Sequence, residues 1–378
     1  MALARTCLVA TALLLCSICA AQDNVKVENA TAAVVRAFQT HDIVMFGEAH
    51  ANRQEYEWLQ ALVSTPAFAD QVDDIVVEFG NSLYQKSVDR YGSGQDVPLE
   101  QVQKAWRNTV GSFGPPSPVY SWFYRTVRES NSKRRGKHAM RVVCGDPYID
   151  WDKVKDREDI GPYLAHREEW YAQVVKDEVI ARHHRALLIM GEGHFLRRNG
   201  PSMIEQQLRQ AGSDPYVIIF GTNTTGAEAL DHRFDSWPLP AIVSTAEGWG
   251  ADLPALAVTS GGTTGQSALR PQRGTAAPSP PPLKLKDAAD ALLYVGPRDA
   301  LTKVSMSRAE LDGTPYSKEL QRRLTIELGQ PVNFLPEKEE TPLFATPQQA
   351  IAASSGPPRL PPPPKSIHDP LPPRPPSQ

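Results

Sequence analysis

Two short motifs hold the residues in this chain best suited to chemistry. The first is Gly47-Glu48-Ala49-His50 and the second, far along the chain, is Gly191-Glu192-Gly193-His194. In each, an imidazole follows a carboxylate by two residues, and on an extended segment residues i and i+2 project to the same side. Each loop can therefore offer one carboxylate oxygen and one imidazole nitrogen toward a shared point. A further acid, Glu78, closes the apolar run Ile75-Val76-Val77. Imidazole and carboxylate without thiolate suit Zn, Mn, Co or Fe. A metal of this kind lowers the pKa of bound water and polarises an ester or amide carbonyl. Without metal, Glu and His held together can run general acid-base chemistry near neutral pH.

The expected catalytic set is Glu48, His50, Glu78 and His194, a His and Glu constellation built from the two loops plus Glu78. Arg53, Asp146 and Glu192 are the residues expected to face substrate. Competing readings exist for several of these residues. A Gly-Glu-x-His segment can be a helix N-terminus whose dipole favours the acid. Asp146 precedes Pro147 and suits a turn. Gln85, Asp89 and Arg90 read as a solvated helix face, and His183 and His184 as surface or capping residues. Trp106, Trp122 and Trp170 read as core. Walker loops, dinucleotide glycine fingerprints, Gly-x-Ser-x-Gly elbows and His-Glu-x-x-His helices do not occur, which weighs against nucleotide-dependent and serine-hydrolase chemistry.

The elements that must position these residues follow from periodicity. Short apolar runs rich in Val and Ile end at both motifs, at Glu78, and at Cys144 just before Gly145-Asp146. A further run spans 216–220, and a later one lies within 287–296. Helical spacing is predicted over 25–39, 52–63, 82–91, 99–110, 119–129, 167–183, 201–210 and 307–328. Alternating strands and helices with continuous apolar strands predict an α/β fold, a mainly parallel sheet covered by helices on both faces. In such folds ligands bind beyond the carboxyl ends of the strands, so Glu48, His50, Glu78, Asp146, Glu192 and His194 are expected on one rim.

Composition bounds the rest. A net charge of -3 over 378 residues favours neither nucleic acid nor an acidic partner. Residues 1–21 read as an export signal: Arg5, the apolar core Leu8 to Leu15, and a small-residue cleavage site at Cys19-Ala20-Ala21. Three of the four cysteines, Cys7, Cys16 and Cys19, fall in that segment and leave only Cys144 beyond it. The expected organisation is an α/β core over 22–259, a flexible insert over 260–283, a return to the core over 284–347, and a Pro-rich disordered tail over 348–378. No stretch after the leader has the length of a transmembrane helix. The tail favours extended polyproline II and could serve as a spacer or as a docking peptide for a partner.

Paired Gly-x-x-His motifs after strands, with a Glu on the strand between, resemble the ChaN-like haem-binding, Tiki and erythromycin-esterase group. The resemblance rests on residues 47–50, on Val77-Glu78-Phe79 and on residues 191–194, with a weaker echo in 291–297, and covers roughly 30–300. Tiki-like members imply a metal-dependent peptidase, with Glu48, His50 and His194 as ligands or catalytic groups. Erythromycin-esterase-like members imply lactone hydrolysis by water that His and Glu activate. ChaN-like members imply an exported protein that binds haem. This chain departs from many relatives in carrying Glu192, an acid that favours a metal or general-base site over an apolar haem face. The expected function is an exported hydrolase of an ester, lactone or amide, taking a small-molecule or peptide substrate. The alternative is a haem- or metal-binding protein without turnover.

Overall fold

A computed structural model of the protein describes residues 26–343 apart from 112–115, 135–136, 199, 222–233, 235, 247, 249–250 and 252–282. The expected leader over 1–21, residues 260–282 of the expected insert over 260–283, and the expected tail from 348 lie outside the described residues. Eight strands form one sheet: β1 (Val27–Asn29), β2 (Ile43–Glu48), β3 (Asp74–Asn81), β4 (Arg141–Asp146), β5 (Ala186–Gly191), β6 (Tyr216–Phe220), β7 (Ala241–Ser244) and β8 (Ala291–Tyr294). Their order is β1-β7-β8-β6-β2-β5-β3-β4. Strands β8, β6, β2, β5, β3 and β4 are mutually parallel, and β7 runs antiparallel to both its neighbours.

The sheet is buried on both sides, which is why its central strands carry continuous apolar runs rather than alternating patterns. Every residue of β2, β3 and β5 is buried. Val44 and Phe46 face α1 (Ala30–Ala37), α2 (Arg53–Ser64), α3 (Gln85–Gly92) and α4 (Val119–Lys133). Ile43 and Met45 face α5 (Arg167–Glu178) and α6 (Met203–Gln210). A last long helix, α7 (Pro315–Leu328), begins on a proline, which suits a first turn whose N–H has no helical partner.

Several boundaries differ from the sequence expectation. The helix predicted over 25–39 opens as edge strand β1, because Val27, Glu28 and Asn29 pair with Val243, Ile242 and Ala241. Asn29 then caps α1 by accepting the Ala32 amide at 3.1 Å. Strand β3 runs on past Glu78, which closes its apolar run, through Gly80 to Asn81. A Cβ on Gly80 would lie 2.8 Å from the Tyr124 hydroxyl, so that glycine answers to packing. The helix predicted over 99–110 is two short turns, Leu99–Val102 and Lys104–Arg107. The one predicted over 307–328 breaks near Gly313 at φ +70°. The strand expected within 287–296 is β8, and it does return to the same sheet beside β6. A ribbon of β9 (Thr302–Val304) and β10 (Glu340–Pro342) was not anticipated. Among the described residues no helix is long and apolar enough to cross a membrane.

Candidate active site

The carboxyl ends of β2, β5, β3 and β4 lie side by side, and they carry the two motifs, Glu78 and Asp146. Glu48 of β2 pairs in register with Gly191 of β5. The glycines explain how the two loops come so close. A Cβ on Gly47 would sit 2.9 Å from the Cα of Glu192, and one on Gly191 would sit 2.7 and 2.8 Å from Cε1 and Nε2 of His50. Each motif's glycine makes room for a residue of the other motif. Gly193 meets nothing within 4 Å and has no such task.

Glu48 is 2% exposed, and its Oε1 lies 2.5 Å from His50 Nδ1. A carboxylate can only accept, so the ring proton sits on Nδ1 and Nε2 keeps its lone pair. The His50 side chain is 55% exposed. After it, Ala51 takes a left-handed φ of +63°, which turns the chain back. The Asn52 amide then bonds the Ala49 carbonyl at 3.0 Å, and Asn52 caps α2 through the Glu55 amide at 3.2 Å. Loss of water around the ring works against its charge, but Glu48 and Glu78 outweigh that and raise the His50 pKa above its ordinary value.

Glu78 Oε2 accepts the Gly191 amide at 2.6 Å. Its Oε1 lies 3.3 Å from His194 Nε2 and 3.2 Å from Arg167 Nη2. Burial pushes the Glu78 carboxyl up, yet His194, His50 and Arg167 hold it well below the usual range. His194 is clamped on its other nitrogen as well, with Nδ1 2.5 Å from Glu168 Oε1. With a carboxylate on each nitrogen the ring is an imidazolium. Burial opposes that charge, but Glu78 and Glu168 raise the pKa to about 10.

One nitrogen or oxygen each from Glu48, His50 and Glu78 lie within 4.8 Å of one another, a set able to hold a cation. Glu78 thus stands where the sequence reading puts His194, whose two nitrogens both face acids. The expected substrate-facing residues are placed differently from one another. Asp146 is fully buried: Oδ1 accepts from Arg167 at 2.9 and 3.0 Å and from the Tyr171 hydroxyl at 3.0 Å, and Oδ2 from the Val110 amide at 2.6 Å. It holds Arg167 against Glu78. Arg53 points to the surface, paired with Glu57 at 2.9 Å and Glu340 at 2.6 Å. Glu192 opens a single 3-10 turn, Glu192–His194, and is buried against Gly47 rather than extended like Glu48.

Several residues at the site carry no motif. Arg167 and Glu168 open α5. Glu55 is fully buried and accepts the Ala49 amide at 3.0 Å; burial, then Glu48 and Glu192, raise its carboxyl well above the usual range. Tyr120 stacks on Phe79 at 4.6 Å. Burial and then the charges of Glu48, Glu78 and Glu55 raise its pKa, against a hydrogen bond from the Ala51 backbone. Lys303 of β9 bridges to Asn52. Burial lowers its pKa against the pull of Glu48.

No family model matches the chain, and no curated protein matches it. Among solved structures it is similar to a Bacillus cereus protein at 10% identity and TM-score 0.40, over 70% of this chain and 90% of that one. It is also similar to ChaN of Campylobacter jejuni, described with cofacial haem binding, at 11% identity and TM-score 0.33, over 51% and 87% of the two chains. A third is the Pasteurella multocida toxin, described with a thiol-protease-like catalytic triad in its C-terminal region, at 8% identity and TM-score 0.34, over 51% and 25%. Likenesses this distant carry no argument about the chemistry of this chain, whose site stands on its own geometry.

Proposed function

We propose that the chain is an exported hydrolase of an ester, lactone or amide bond, with His50 as the group that activates water. The single observation that carries this reading is the Glu48–His50 contact: Nδ1 faces the buried acid at 2.5 Å while the ring is 55% exposed. Glu48 orients the ring and stabilises it when Nε2 takes a proton. Glu48 and Glu78 raise the His50 pKa, which makes the ring a stronger base toward water. His194 and Arg167 supply fixed positive charge around Glu78. Tyr120 adds a hydroxyl beside the same acids.

The donor set of one imidazole and two carboxylates fits a divalent Zn, Mn, Co or Fe ion. Glu48, His50 and Glu78 would hold it, and when bound it would polarise the scissile carbonyl and acidify water. With or without it, Glu48 aims the ring, and Glu78 is kept ionised by its cationic neighbours.

A screen of ester, lactone and peptide substrates, with and without added Mn, Co and Zn, tests the reading. Turnover by the wild type that is lost in His50→Ala supports it. Turnover that survives His50→Ala removes His50 from the reaction. A Soret band on adding haemin, with no turnover of any substrate, would favour haem binding instead. The leader-like residues 1–21 support export, and recovery of a chain beginning near Gln22 outside the cytoplasm would test that. The Pro-rich tail remains a candidate docking peptide, tested by a pull-down with and without residues 348–378.

A further inference from the structure

We propose that Lys303 determines specificity by binding a second, non-reacting carboxylate on the substrate; this rests on the hydrolase reading above and names its substrate class. The strand that carries Lys303 is fixed to the first motif's loop. The Val304 amide bonds the Ala51 carbonyl at 3.0 Å, Lys303 bridges to Asn52, and Gln54 bonds the Ala300 carbonyl at 3.0 Å and the Thr302 amide at 3.1 Å. Lys303 therefore sits beside the turn that presents His50, within the field of Glu48.

The other cations around the site already have acid partners. Arg53 pairs with Glu57 and Glu340, Arg167 with Glu78 and Asp146, and His194 with Glu78 and Glu168. Lys303 is half-buried and, among the described residues, its ammonium makes no ion pair and no hydrogen bond. Of the nearby acids, Glu48 gives one oxygen to the His50 ring and Glu55 one to the Ala49 amide, and neither makes an ion pair with Lys303. Withdrawing an ammonium from water without a partner is unfavourable. An anion brought by the ligand supplies the missing counter-charge, and the position beside His50 places it one end away from the scissile carbonyl. A carboxylate is the anion that travels most simply with an ester or amide, as in a monoester of a dicarboxylic acid or a peptide with a free C-terminus.

The test uses the full chain and two paired esters, monomethyl glutarate and dimethyl glutarate. The wild type is expected to favour the charged monoester in kcat/KM by about tenfold or more, the effect of one charge-assisted hydrogen bond. Lys303→Met keeps the packing of the long side chain and is expected to collapse that ratio to about one, while Lys303→Arg retains part of it. Equal loss on both esters in Lys303→Met, or no preference in the wild type, overturns the proposal. Calorimetric binding of glutarate gives a readout independent of turnover. Saturable binding that weakens about tenfold in Lys303→Met supports the subsite even if neither ester is cleaved, a result that would sink the hydrolase reading alone. Glutarate binding equal in both proteins overturns the subsite and leaves the hydrolase reading to its own test.

Discussion

The two motifs share Gly, Glu and His at the same spacing and fold into different devices. In the first, the strand continues through Glu48 and His50 follows in the turn beyond it, where the ring stays 55% exposed. In the second, the strand ends at Gly191 and the next three residues coil into a 3-10 turn, leaving the His194 side chain 9% exposed between two acids. One histidine has a free nitrogen and access to solvent. The other has both nitrogens occupied and holds a charge. A shared sequence pattern therefore assigns neither role; the backbone after each glycine does.

That contrast sets the largest expected effects. His50→Ala should lower turnover by about a thousandfold or more with the unfolding midpoint nearly unchanged, because the ring is half in water. His194→Ala should instead cost about 3–5 kcal/mol of stability, since it removes the buried cation between Glu78 and Glu168 and leaves Glu78 with Arg167 alone. Denaturant unfolding of both variants separates the two roles; equal destabilisation would erase the distinction.

A finer test lies in the glycines. Gly191→Ala drives a methyl into the His50 ring and should reduce turnover by about a hundredfold, whereas Gly193→Ala meets open space and should change little. Comparable losses in both would mean that the loops do not approach as described.

The pH dependence should also divide the motifs. A group whose pKa is raised on folding stabilises the fold fully below its unfolded value and loses that contribution as pH rises through the folded value. For His194, raised from 6.5 to about 10, stability should fall between roughly pH 6.5 and 10. His194→Gln should flatten that fall. A wild-type curve without the fall would mean that His194 is not held as a cation. Smallest of all, Arg53→Gln should cost less than about 1 kcal/mol, as expected for exposed ion pairs. A loss of several kcal/mol would give Arg53 a role that its exposed pairs do not suggest.

Much of this was legible in the sequence because burial on both sheet faces forces continuous apolar strands, and the residues ending them stand out. Edge elements were not. Strand β1 hides at the start of a helical pattern, and the three-residue β9 has no periodicity of its own. The supporting residues did leave a trace. Arg167 lies on the same helix stripe as Tyr171, Val174 and Val175, all buried, and Glu55 on the stripe of Leu59, Leu62 and Val63, also buried. A charge on an apolar stripe needs a buried partner, and that conflict was the available signal. Lys303 and Tyr120 gave none, because only the tertiary fold brings them to the first motif.

The central claim is that both histidines converge on Glu78 while only one keeps a free nitrogen. Following the Cε1 protons of His50 and His194 by NMR against pH, in wild type and Glu78→Gln after treatment with chelator, tests it without any substrate. Removing the Glu78 charge should lower both titrations, with His194 falling from about 10. If either histidine titrates identically in the two proteins, the two loops do not share that carboxylate and the single site described here does not exist.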